Sequence, residues 1–278
     1  MRMNFAVALI APLFALPFAL SAQAQQAPLK TETITVTVRP GVTMRYLDVT
    51  AGGPPKAAVI LLAGENGALR LDAAGAFGSD LGLNFLVRSR GLFAREGLYV
   101  AALDAASDRQ GGMDGAVRLS QQHADDIGKV IADVKSRGGG VPVWVIGTSA
   151  GTLSTANAGA RLSGKGSSPR GIVLTSTMTQ LDAAGYCGKS VYDAALGKIS
   201  VPVLVVSHAQ DGCACSPGNE AAVGKLVAAL KGAPAKEQKI FTGGSAPVSG
   251  PCDAKAQHGY FGIEAGVVKT IAEWIKSH

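Results

Sequence analysis

Val141-Pro-Val-Trp-Val-Ile-Gly-Thr-Ser-Ala-Gly151 is the stretch from which the fold can be read. It begins as a short apolar run, turns sharply at Gly147-Thr148-Ser149-Ala150-Gly151, and leads into an Ala-rich segment with helical character. A continuous apolar run is what a strand buried on both faces requires, whereas a strand with one wet face alternates. Runs of the same kind stand at residues 57–62, 98–103, 171–175 and 201–206. Helical patterns lie between them: Ile127, Val130, Ile131 and Val134 at i, i+3, i+4, i+7, then residues 221–230 and 260–275. Buried strands alternating with helices predict an α/β fold, a mainly parallel sheet with helices on both faces. Residues 31–39 and 43–49 alternate on either side of Pro40-Gly41 and predict an antiparallel pair at the N-terminal edge.

Residues 1–24 read as an export signal: Met1-Arg2-Met3, a mostly apolar stretch to Leu20, and a small-x-small site at Ala22-Gln23-Ala24. The expected mature chain begins near Gln25 and forms one domain over residues 25–278, periplasmic or secreted. No later stretch reaches about 18 consecutive apolar residues, so no membrane span is expected in it. Charged residues are 17 % of the chain and Gly is abundant at 36, which fits a folded domain with many tight turns rather than a disordered one. The net charge of +6, or +5 without Arg2, is scattered, with no basic stripe of the kind nucleic acid needs. Four cysteines, Cys187, Cys213, Cys215 and Cys252, predict two disulfides in an exported chain, with three connectivities open. Cys213-Ala214-Cys215 is too tight for a zinc knuckle and has no His at ligand spacing, so no metal is expected.

Gly147-Thr148-Ser149-Ala150-Gly151 is G-x-S-x-G in the strand–turn–helix context that lifts a serine hydroxyl above a sheet edge. The N–H of Ala150 then points where an oxyanion would form. A serine needs a base, and the chain offers His123, His208, His258 and His278. His278 is terminal, and His123 reads as a packing histidine in a helix. His208 reads as a brace for its loop. His258 lies between the last strand, expected at residues 239–242, and the last helix, where the chain emerges at the carboxyl ends of the strands. Asp211, just beyond the run 201–206, reaches the same edge and is the expected acid, with Asp253 second.

From residue 57 to 277 the chain resembles the α/β-hydrolase family, whose chain order is also Ser, Asp, His. It is similar in particular to small exported bacterial members through Asp211-Gly212-Cys213, Cys252 and His258-Gly259. The resemblance implies a Cys213–Cys252 bridge between the acid and histidine loops, leaving Cys187–Cys215 as the second. It also implies a further oxyanion donor in Ala63-Gly64-Glu65-Asn66-Gly67, the N–H of Glu65 or Asn66. A carboxylate there departs from the family pattern and would oppose the anion unless it turns outward or pairs with a cation such as Arg70. About 23 residues separate the strand ending near Thr177 from Val201, room for a small cap only; Tyr186, Tyr192 and residues 104–113 are candidate pocket walls. The expected activity is hydrolysis of a small-molecule carboxylic ester through an acyl-enzyme, with no cofactor. A peptidase or amidase with the same residues, or a non-catalytic binding protein on this scaffold, are the alternatives.

Overall fold

The computed structural model describes Met1, Met3, residues 28–181 and residues 187–278. The rest of the expected export signal, and Tyr186, lie outside the described residues. The two alternating segments pair antiparallel about the Pro40-Gly41 turn, as β1 (Lys30–Arg39) and β2 (Val42–Thr50). The apolar runs become β3 (Ala57–Leu62), β4 (Leu98–Ala106), β5 (Val143–Thr148), β6 (Gly171–Thr175) and β7 (Val203–His208), and β8 (Lys236–Phe241) forms the far edge. The sheet order is β1-β2-β4-β3-β5-β6-β7-β8; β2 is antiparallel to β4, and the strands from β4 to β8 are mutually parallel.

In chain order the helices are α1 (Phe85–Arg88), α2 (Arg90–Arg95), α3 (Gly115–Arg118), α4 (Gln121–Arg137), α5 (Gly151–Leu162), α6 (Glu220–Ala229) and α7 (Glu264–Ser277). The period of two along each strand sorts its side chains into two cores. Ala58, Ile60 and Leu62 of β3 pack with residues of α4, α5 and α6, while Ala57, Val59 and Leu61 pack with α1, α2 and α7. Both faces are therefore covered, which is why every residue of β3 to β7 is buried and the strands read as unbroken apolar runs. Trp144 of β5 marks the second face: its ring lies over Gly171, its partner in register, where any Cβ would come within 1.9 Å of it. The same ring meets Trp274 of α7 edge-on at 5.1 Å and fastens that helix to the sheet.

Several boundaries differ from expectation for local reasons. β5 and β7 begin two residues late because Pro142 and Pro202 have no N–H for the ladder, although their carbonyls still accept from Ala58 and Ile172. β8 begins at Lys236, three residues early, as a half-exposed edge strand with no apolar run to announce it. α7 starts at Glu264 rather than residue 260, since Tyr260 (φ 56°) and Gly262 (φ 86°) are left-handed and interrupt any helix there. The short helices α1 and α2 between β3 and β4 were not anticipated.

Candidate active site

β5 runs into the serine turn and α5 leaves it. Ser149 sits at φ 53°, a strained position for a residue with a Cβ. The turn holds because the Ser149 N–H donates to Thr175 O (3.1 Å) while its carbonyl accepts from the Thr152 N–H (2.9 Å) and hydroxyl (2.5 Å). The flanking glycines are steric necessities: a Cβ at Gly147 would come 2.3 Å from Thr155 Oγ1, and one at Gly151 would come 2.3 Å from Leu62 O. Ala150 caps α5, where the helix's first N–H groups have no intrahelical acceptor.

β7 ends at His208 and delivers Asp211 to the same sheet edge. Asp211 Oδ2 accepts from His258 Nδ1 at 2.9 Å, and its Oδ1 accepts from the Cys213 N–H at 2.9 Å. Both side chains are withdrawn from solvent, Asp211 fully. The other ring nitrogen of His258, Nε2, is buried with no protein partner, and His258 and Ser149 line one narrow cleft together with Gly64, Glu65 and Phe85. The His258 backbone is fixed from behind. Its carbonyl accepts from Ser176 Oγ (2.8 Å), and the buried Tyr260 hydroxyl donates to Val206 O (2.9 Å) while accepting from the Ser176 N–H (3.1 Å). The disulfides are Cys213–Cys252, which joins the Asp211 and His258 loops, and Cys187–Cys215, which joins the cap segment to the former.

The other histidines and the second acid stand apart from this pair. His123 Nε2 lies 2.9 Å from Ser154 Oγ inside the protein; burial, helped by the charge of Arg118, pushes its pKa down to about 3 and keeps it neutral. His208 accepts at Nδ1 from the Gln210 N–H and therefore donates from Nε2 to Gly243 O, bracing its loop. Asp253 borders the cleft but accepts from the Gly250 N–H at 2.8 Å and does not reach the imidazole.

The loop after β3 presses on Ser149: a Cβ at Gly64 would fall 2.9 Å from Ser149 Cβ. Two buried charges hold this loop. Asp104, at the end of β4, accepts from the N–H groups of Leu69, Arg70, Leu71 and Ala105 at 2.7–3.2 Å. Arg118 reaches the carbonyls of Ala63, Gly64 and Glu65 from the other side. Glu65 itself is left-handed (φ 47°) and exposed at the rim. Partial burial of its carboxylate, then the nearby Asp253 and Asp80, raise its pKa, with His258 acting the other way. Arg70 does not serve as its counter-ion, because its Nε donates to Gln110 O.

Beside the cleft lies a cavity of about 490 Å³ lined by Glu65, Asn66, Met113, Ala150, Leu153, Met178 and Lys189, among others. Of the proposed walls, the segment 104–113 contributes Met113. Tyr192 does not contribute: it packs against the core with Lys225 over its ring. Arg118, Asp104, Ser176 and Tyr260 were not foreseen. Only Asp104 had a signal, a lone carboxylate directly after an apolar run. Among the described residues no group of three or more His, Cys, Asp or Glu is arranged to hold a metal, and no helix is long and apolar enough to cross a membrane.

No protein-family model and no curated protein sequence matches the chain. Solved structures do. The Pyrococcus furiosus esterase Pf2001 superposes with a TM-score of 0.62 at 14 % identity, over 90 % of this chain and 91 % of that one. The monoglyceride lipase of Saccharomyces cerevisiae gives 0.59 at 12 %, over 94 % and 98 %. XC6422 from Xanthomonas campestris, described as a serine hydrolase without a lid, gives 0.54 at 15 %, over 90 % and 97 %. The eight-stranded mixed sheet, the serine turn after its central strand and these superpositions agree: this chain has the α/β-hydrolase fold.

Proposed function

We propose that the protein is a serine hydrolase that cleaves small carboxylic esters, with Ser149 as nucleophile, His258 as base and Asp211 as the acid that orients it. The observation that carries this is the buried Asp211–His258 bond, which leaves the free ring nitrogen in the same cleft as a serine strained at φ 53°. With Nδ1–H engaged by Asp211, Nε2 is the basic nitrogen and takes the Ser149 proton as Oγ attacks the ester carbonyl. The tetrahedral anion is met by the N–H of Ala150 and by an N–H of Glu65 or Asn66. His258 then protonates the departing alcohol, and a water activated by the same nitrogen hydrolyses the acyl-enzyme.

The cavity at Ala150 and Asn66 suits a group of modest size, and its mixed lining favours a partly polar substrate over a long alkyl chain. Esterases and a lipase among the structural neighbours support the same chemistry. Two disulfides favour action in an oxidising compartment, in keeping with residues 25–278 as an exported domain, periplasmic or secreted.

A fluorophosphonate probe tests the reading: Ser149 should be labelled, and Ser149→Ala should abolish labelling and lower kcat by up to about 10⁶-fold with the fold intact. A wild type that resists the probe would point to a binding protein on this scaffold. Faster turnover of aminoacyl anilides than of aryl esters would point to a peptidase.

A further inference from the structure

We infer that Arg118 is a positioning residue for the anion-binding loop: its buried guanidinium turns the peptide units of residues 63–66 so that their N–H groups face the oxyanion formed at Ser149. The inference rests on the ester-hydrolase reading and adds a residue to it.

Arg118 ends α3 and is 1 % exposed, among the largest fully buried side chains of the protein. Its Nη2 lies 3.3, 3.2 and 3.0 Å from the carbonyl oxygens of Ala63, Gly64 and Glu65, and its Nη1 donates to Ser154 Oγ at 3.1 Å. Among the described residues no peptide bond is cis, so each carbonyl of this loop points opposite to the N–H of the next residue. Three consecutive carbonyls gathered on one cation therefore leave the N–H groups of Gly64, Glu65 and Asn66 directed away from it. Among the described residues these three donate to no protein acceptor, and Gly64 is in contact with Ser149. The guanidinium holds one end of the peptide dipoles; the nucleophile stands beside the loop they belong to.

The charge is placed with care. Among the described residues no carboxylate lies within ion-pair distance of Arg118, and although burial lowers its pKa to about 10 it remains a cation at neutral pH. A lone buried cation is costly, and neutral donors could hold carbonyls at less expense in desolvation. A fixed positive charge behind the loop is useful when a negative charge develops in front of it. Space is reserved for the group as well: a Cβ at Gly67 (φ 71°) would come 2.6 Å from Nη2.

The test compares Arg118→Met and Arg118→Lys with the wild type in kcat, KM, thermal stability and affinity for a trifluoromethyl ketone, which forms a tetrahedral anion on the serine. Arg118→Met should lower kcat about 10²–10³-fold. KM should stay within about threefold, and ketone affinity should fall in parallel with kcat. Lys keeps the charge but replaces the planar fork by a point donor. Arg118→Lys should therefore fold and lose about tenfold or more in kcat with KM held. If the Met variant does not fold, the Lys variant decides alone. Wild-type kcat in Arg118→Lys, or in both variants, overturns the inference; so does loss of folding in both, which would make Arg118 a structural group. Hydrogen exchange of the amides of residues 64–66, measured without substrate, separates this inference from its parent. A wild type inert to esters and ketone, with altered exchange in Arg118→Lys, removes the ester chemistry and keeps Arg118 as the loop's positioner; unaltered exchange removes both.

Discussion

On one side of the cleft, His258 and Asp211 are held by a disulfide between their loops, by a serine hydroxyl on the His258 carbonyl, and by a buried tyrosine two residues on. On the other side, residues 63–71 have no covalent tie; a carboxylate, Asp104, takes the N–H groups of one half and a guanidinium, Arg118, takes the carbonyls of the other. The difference follows from what each side must do. A histidine proposed as general base has to keep one ring orientation and one tautomer, and a single carboxylate on Nδ1, neutral hydrogen bonds behind the ring and a cross-link between the two loops supply that. A loop proposed to bind an oxyanion has to present backbone dipoles, and buried charges aim dipoles while also setting the potential around them.

The largest effect is expected at Asp104. Asp104→Asn keeps the shape but sets an amide group among four backbone donors. It should destabilise the protein by about 3 kcal/mol or more, since the Leu71 N–H loses its acceptor at a cost of about 1–3 kcal/mol and the other three donors exchange a charged oxygen for a neutral one. Chemical denaturation measures it, and a loss below about 1 kcal/mol would show that the loop is held by something other than charge. On the opposite side, Cys213→Ser with Cys252→Ser opens a loop of sequence separation 39. It should cost about 3–4 kcal/mol in the chain-entropy picture and lower kcat as the acid and base loops drift. If stability falls and kcat does not, the disulfide is a staple for the fold and plays no part in holding the pair.

Tyr260→Phe sharpens the comparison at smaller scale. It removes a neutral hydroxyl that bridges Val206 O and the Ser176 N–H. A loss of about 0.5–1.5 kcal/mol is expected, the worth of the lost hydrogen bonds alone, because the Ser176 N–H still donates to Val206 O at 3.0 Å. The kcat should fall no more than about tenfold, because Asp211 still orients the ring. A collapse of activity without a matching change in stability would mean that the tyrosine governs the imidazole directly.

How much of this was legible in the chain depends on whether a residue's role is local. The sheet was readable because burial on both faces leaves an apolar run, and Ser149 because a sharp strand–helix turn demands glycines at fixed offsets. That Asp211 and His258 lie together at the edge where Ser149 emerges could be read because strand ends are themselves readable. Arg118 could not be found. It ends a short helix with no periodic pattern, and nothing in Asp114-Gly115-Ala116-Val117-Arg118 distinguishes it from a solvated surface arginine. Its role comes from burial against a loop more than fifty residues upstream. Tyr260 was placed inside a helix for a similar reason, since its left-handed backbone is imposed by tertiary packing and not by its side chain.

Glu65 is where the two sides of the cleft meet in charge, and it carries the smallest expected effect. Its pKa is raised in the fold, so the folded state holds that proton more tightly than the unfolded chain does. The sign follows: this preference favours folding below the ordinary Glu value of about 4.3 and is lost as pH rises through the raised one. Glu65→Gln removes the penalty. The variant should melt slightly above the wild type at neutral pH, and the gap should close as the pH is brought down toward about 4. The same carboxylate borders the cleft in which the anion is proposed to form, so the neutral amide should raise kcat about two- to fivefold near neutrality, a modest gain because the group is exposed and screened. The gain should shrink at high salt, as a field effect does and a packing effect does not. A fall in kcat would mean that the carboxylate takes part in the reaction, and the assignment of this side of the cleft to backbone dipoles alone would no longer hold.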